Sequence, residues 1–209
     1  MKTHVKSQSM NKDLIRQIKK EYHVPTHVVG HMQKVAEVCE LIADIFIENG
    51  EKVDKGSLLT AAHIHDSLRI IDFRVFDPEN FPSKYSDEDL KKWYELREEF
   101  KNQSHEEALK KILQKNNPKI AELIGKHGFF SIDELNTLEE KILYYADKRV
   151  DGGKIVSLEN RFKTGIKRNF NKDNHNLERI TKTEEKVFRL EKELEEKIPN
   201  LQELIERAS

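Results

Sequence analysis

Apolar residues recur at helical spacing along almost the whole chain, and that period limits the fold more than any other feature. In "VVGHMQKVAEVCELIADIF", Val28, Val35, Val38, Ile42, Ile45 and Phe46 form one broad stripe, and Gly50 closes the segment. No strand-like alternation and no internal repeat is visible. Only 8 Gly and 5 Pro leave little turn material for an all-β fold. The pattern predicts an all-α chain, and 209 residues suffice for one domain with a real core.

Local signals divide the chain further. "TAAHIHDSLRII" reads as an amphipathic helix starting near Asp54 or Ser57. Residues 72 to 86 hold two prolines and no stripe, which predicts a loop, and "SDED" supplies an N-cap for "LKKWYELREEF". Capping boxes are expected at "SHEE" and at "SIDE", and Pro118 opens a short helix that Gly128 ends. After a basic, Asn-rich link, Ile180, Val187, Leu190, Leu194 and Ile198 make a narrow stripe that Pro199 interrupts. These signals predict a domain over residues 1–172 and a helical extension over 173–209. The extension would dock on its own domain or pair with a second copy as a homodimer.

Composition excludes several classes. With 37 basic against 38 acidic residues, nothing suggests a general nucleic-acid or anionic-membrane binder. Cys39 is the only cysteine, so neither an intramolecular disulfide nor a cysteine-rich zinc site is available. No apolar run is long enough to span a bilayer, and the polar start "MKTHVKSQSMNKD" is no signal peptide, which together predict a soluble, cytoplasmic protein.

Against this background the histidines stand out. His4, His23, His27 and His175 have ordinary readings in a tail, a helix start or a polar link. His31, His65, Asp66, His105, His127 and Asp147 instead sit on helices or at helix ends, at separate places in the chain. A helical bundle can gather such positions around one internal point. Adjacent helical residues project about 100° apart, so His65 and Asp66 could grip one ion, with His31 and Asp147 completing its ligands. Imidazole and carboxylate together suit Fe, Mn, Zn, Co or Ni better than Mg or Ca alone. Neither an H-E-x-x-H motif nor the E-x-x-H pair of a di-iron bundle is present. Singly, His105 also reads as a surface residue at a helix start, and His127 as a cap beside Gly128.

The series "H31 … H65-D66 … D147", with "HVVGHMQKVAEV" before it and "ILYYADKRVDGGKIVSLENRF" after it, resembles the HD-domain metal-dependent phosphohydrolases over roughly residues 25 to 165. The resemblance implies an HD-type helical bundle holding one or two divalent ions, Mg included. It implies that Asp66 bridges both, with His105 and His127 on the second. Many relatives follow His-Asp with Ile-Gly and a basic residue; here "HDSLR" keeps Arg69 but puts Leu68 at the glycine, which is expected to alter the pocket wall.

The implied chemistry is attack of a metal-activated hydroxide on a phosphoester or phosphoanhydride of a small nucleotide-like substrate. Arg69 would neutralise developing phosphate charge or pair with Asp72, and Lys148 would add charge at the mouth or be an ordinary solvated lysine. Trp93, Tyr94 or Phe81 could stack a nucleobase, or Trp93, Leu96 and Phe100 could anchor a surface helix. The basic residues Arg161, Lys163, Lys167, Arg168 and Lys172 could attract a polyanion or simply be solvated. "HDSLRIID" lacks the acidic pair characteristic of alarmone hydrolases. The competing functions are a non-catalytic HD-fold sensor or interaction module, and a helical scaffold with coincidental histidines.

Overall fold

The buried helix α3 (Lys55–Ala62) organises the chain, because seven of its residues, Gly56 to Ala62, are out of solvent. A helix apolar all round cannot lie on a surface; it must be enclosed by others. In this computed structural model, which describes residues 9–169 and 174–207, it is packed by α1 (Lys12–Glu21), α2 (Thr26–Glu48), α6 (Pro118–Gly125) and α7 (Leu138–Lys148). The side chains of 166–169 and 174–176 lie outside the described part. Val35, Cys39, Ile42, Leu58, Ile64, Ile142 and Tyr145 are among the core residues where these helices meet. Helix α4 (Asp87–Glu99) packs on the turn after α3, and α5 (His105–Leu113) packs on α6. The chain closes with α8 (Leu158–Asn169), α9 (Asn174–Lys197) and α10 (Leu201–Arg207).

Capping follows the sequence closely at most helix starts. Asp54 and Ser104 accept from backbone N–H groups at the starts of α3 and α5, and Ser86 forms a reciprocal box with Asp89. The box before α7 is made by Thr137 and Glu140, not by "SIDE", which lies in a 3₁₀ turn over Phe129–Glu134. One element is not helical. Gly152 and Gly153, both at positive φ, turn a two-residue hairpin of β1 (Val150–Asp151) and β2 (Lys154–Ile155). The Asn-rich link is short, since α8 runs through Asn169 and α9 begins at Asn174; His4 and Lys172 lie outside the described residues.

Most of the C-terminal stripe packs within the chain, while Ile180 is half-buried. Val187, Leu190, Leu194, Ile198, Leu201 and Ile205 are all buried. Deeper still, Arg149 at the end of α7 is fully buried and donates to Tyr145 Oη at 2.7 Å and to Glu191 Oε1 at 3.2 Å. Tyr145 Oη also donates to that carboxylate, at 2.7 Å. This network fixes α9 to the end of α7. No helix among the described residues is long and apolar enough to cross a membrane.

Candidate metal centre

Helix α3 stops at Ala62, three residues before the His-Asp pair. The expected helix through "HIHDSLRII" is therefore corrected: residues 63–68 form turns, and Arg69–Asp72 a 3₁₀ helix. The bonds tighten from Ile64 N–H to Ala61 O, then Ser67 to Ile64, Arg69 to Asp66 and Ile71 to Leu68. The carbonyl of Ala62 is left at the helix end and accepts from His65 Nδ1 at 2.8 Å.

Asp66 lies at the centre of the set. Its Oδ1 is 2.9 Å from His105 Nε2, 3.3 Å from His127 Nε2 and 3.9 Å from His65 Nε2. Its Oδ2 is 3.7 Å from His31 Nε2. Asp147 Oδ1, from the last turn of α7, stands 2.9 Å from His31 Nε2 and 3.5 Å from His65 Nε2. All six residues singled out by sequence thus meet at one place, from α2, the turn after α3, α5, the end of α6 and α7.

Three of the imidazoles are oriented through their outer nitrogen. A carbonyl or carboxylate oxygen can only accept, so the Nδ1 facing it carries the proton. His65 gives that proton to Ala62 O, His127 to Ile124 O at 2.6 Å, and His105 to Asp72 Oδ2 at 2.7 Å. Each Nε2 is thereby aimed at the shared centre, the arrangement that metal-ligating histidines adopt.

Electrostatics follow from crowding. Burial opposes the charge on Asp66, but His65, His105 and His127 outweigh it and hold the carboxyl well below the usual range. Burial likewise opposes Asp147, where Lys148, His31 and His65 win in the same direction. His105 is pushed up to about 9, its burial overcome by Asp66 on one side and Asp72 on the other. Burial pulls His127 down.

Several expectations change in detail. Arg69 takes the pairing alternative, with Nη1 2.8 Å from Asp72 Oδ1, while still lining the cavity. Lys148 is neither solvated nor at the mouth. Its buried ammonium donates to Asp147 Oδ2 at 2.6 Å and to His127 O at 2.9 Å, over the face of Tyr144. Leu68 does not form the pocket wall: it is fully buried in the core, with φ of −103°, which any residue adopts. Trp93 is also fully buried, donates to His23 O at 2.8 Å and packs against Phe81 and Tyr85, so it anchors its helix and has no face free for a nucleobase, while Tyr94 is exposed. Phe81 packs against His27, Phe73 and Trp93. In the basic cluster, Arg161 pairs with Asp151 at 3.3 Å; Lys172 and the side chains of Lys167 and Arg168 lie outside the described residues.

Glu106 was not expected from the sequence, and Asp72 only as a partner of Arg69. Asp72 clamps His105 and Arg69 together, and its only sequence signal was its i+3 spacing from Arg69. Glu106 joins His105 and His127 in a group whose ligand atoms lie within 4.8 Å of one another. A Cβ at Gly128 would come within 2.9 Å of Glu106 Oε1, so the glycine makes room for that carboxylate.

The donor set fits divalent metal. His31, His65 and Asp147 form one compact group, and His65, Asp66 and His127 another. Among the described residues, His65 Nε2 and Glu106 Oε2 are buried atoms with no hydrogen-bond partner, and both belong to these groups. A bound cation would satisfy both. The centre floors a cavity of about 950 Å³. Residues 28–150, more than half the chain, match the model of the HD domain.

The chain belongs to the HD domain family. HD domains form a superfamily of metal-dependent phosphohydrolases, and this chain carries clusters able to hold a divalent ion. Neither a search of curated proteins nor one of solved structures gave a match.

Proposed function

We propose that this HD domain protein is a phosphohydrolase that cleaves a phosphoester or phosphoanhydride of a small nucleotide-like substrate, using two divalent ions. His31, His65, Asp66 and Asp147 would hold the first ion, and Asp66, His105 and His127, with Glu106 beside them, the second. The observation that carries this reading is the position of the Asp66 carboxylate. One oxygen faces His105 and His127 while the other faces His31, as a bridging ligand requires. Paired ions supply Lewis acidity toward a phosphoryl oxygen and a water of lowered pKa.

The chain's own residues do the rest. The guanidinium of Arg69, held by Asp72 but 40% exposed, presents its remaining N–H groups to the cavity for phosphate oxygens. Lys148 acts as a positioning residue, fixing Asp147 and the carbonyl of His127 relative to each other. Asp72 orients His105 and Arg69 together.

Product release from mono-, cyclic, di- and bis-nucleoside phosphates, followed by chromatography with Mn- or Fe-loaded protein, tests the reading. Turnover of one class that Asp66→Ala abolishes supports it. Metal-loaded protein that turns over none of them contradicts it.

A further inference from the structure

Part of the cavity lining differs in character from the metal centre. The metal centre is built by α2, α5, α7 and the turn after α3. The remaining lining includes Phe129, two residues after His127, and residues of α8 and α9, which contribute Phe162, Gly165, Ile180 and Glu184. Phe162 and Gly165 are three apart on α8, and Ile180 and Glu184 four apart on α9, so each pair shares a helix face. The C-terminal helix thus completes the pocket.

Glu184 is the unusual member of this wall. It is partly buried, with no hydrogen bond or ion pair among the described residues. The basic groups nearby are engaged elsewhere, Arg161 on Asp151 and Arg179 over the Phe130 ring at 3.9 Å. Burial pushes the Glu184 carboxyl up. A desolvated acceptor facing a cavity is satisfied by a donor that the cavity receives. Phosphate cannot be that group, since two anions would repel. The substrate's orientation follows: phosphate at the cationic end beside Arg69, organic part at Glu184.

Shape narrows the chemistry of the organic part. The rings of Phe129 and Phe162, edge to face with centroids 6.1 Å apart and an interplanar angle of 68°, give this part of the lining an apolar, aromatic character, and a flat group could lie on the face of one of them. A Cβ on Gly165 would meet nothing within 4 Å, so there is open room beside them. We infer that Glu184, Phe129, Phe162 and the open face of Gly165 form a nucleobase subsite that takes a base carrying an exocyclic amine, the amine donating to Glu184. The inference rests on the proposed phosphohydrolase reading for the other end of the substrate.

Titration calorimetry with the full chain tests it, using adenosine on metal-free protein, then adenosine 5′-monophosphate and inorganic phosphate on Mn-loaded protein. The variants are Glu184→Leu, Glu184→Gln and Gly165→Leu. The last replaces a helical glycine by a stronger helix former in open space, and an unchanged thermal melt of this variant separates loss of binding from loss of fold. The expected result is that Glu184→Leu and Gly165→Leu weaken adenosine and its monophosphate about ten- to hundredfold, leaving phosphate binding unchanged. Glu184→Gln, which keeps an acceptor oxygen, recovers part of the loss. If adenosine does not bind, or if both nucleotide and phosphate bind unaltered in the two leucine variants, the subsite is overturned while the metal centre stands. Adenosine binding lost in both variants, with no phosphate binding to wild type, supports the subsite and fails the phosphohydrolase reading instead.

Discussion

Asp72 Oδ2 accepts from both the backbone N–H and the ring Nδ1 of His105, at 3.1 and 2.7 Å, across 33 residues of sequence. One carboxylate thus starts helix α5 and sets the direction in which His105 presents Nε2 to Asp66. Its other oxygen holds Arg69.

Asp72→Ala should therefore lower metal affinity without removing a ligand. Loss of such an orienting partner typically costs about 10–100-fold in metal affinity or activity. Competition with a calibrated chelator measures it, and unchanged affinity in the variant would show that His105 is oriented by other means.

Leu68→Gly moves the chain toward the residue common among its relatives, yet it should destabilise. Leu68 is fully buried in the core, and truncating a buried leucine costs about 2–5 kcal/mol. Urea denaturation at fixed metal content reads this directly.

Glu191→Leu should cost about 3–5 kcal/mol, because it removes the nearer and buried carboxylate of the fully buried Arg149 and leaves it only the exposed Glu206 at 3.9 Å. The same change should loosen α9 and speed amide exchange along it, a readout by mass spectrometry.

Glu140 gives a pH signature away from the metal centre. Burial acts to raise its pKa, but Lys126 and the backbone N–H groups of Asn136 and Thr137 prevail and lower it. A depressed folded pKa contributes stability that is fully present above the unfolded value, roughly 4.3, and is lost as pH falls through the folded one. Glu140→Gln should thus be less stable than wild type at neutral pH, with the gap closing as the solution is acidified below about pH 4. Thermal melts of the pair across pH 3–7 check it; a gap independent of pH would contradict the assignment.

Much of this was legible in the sequence, and what was not has identifiable causes. Helical periodicity survives in sequence because each amphipathic face must be apolar, so the all-α class and most helix starts could be read from it. His31, His65, Asp66, His105, His127 and Asp147 could be picked out as a set, from their order along the chain and its resemblance to the HD domains, whereas His105 and His127 singly read as ordinary helix-end residues. The end of α3 could not: a helix buried on every side has no polar face to mark where it stops, so Ala62, His63 and Ile64 look continuous. The contact of Asp72 with His105, and the place of Glu106, were hidden for another reason. Acidic residues are abundant here, and only packing tells an orienting carboxylate from a solvated one. Lys148 was misread similarly, since nothing local shows that its ammonium reaches back to Asp147 and His127 O.

The most direct test of the account is metal content. Wild-type protein and Asp66→Ala would be loaded with Mn, freed of excess by gel filtration and measured by elemental mass spectrometry. Two ions per wild-type chain and none retained by the variant is the predicted result, since both of the proposed ligand sets include that carboxylate. Wild-type protein that retains no metal, or a variant that retains as much as wild type, would contradict the proposed centre.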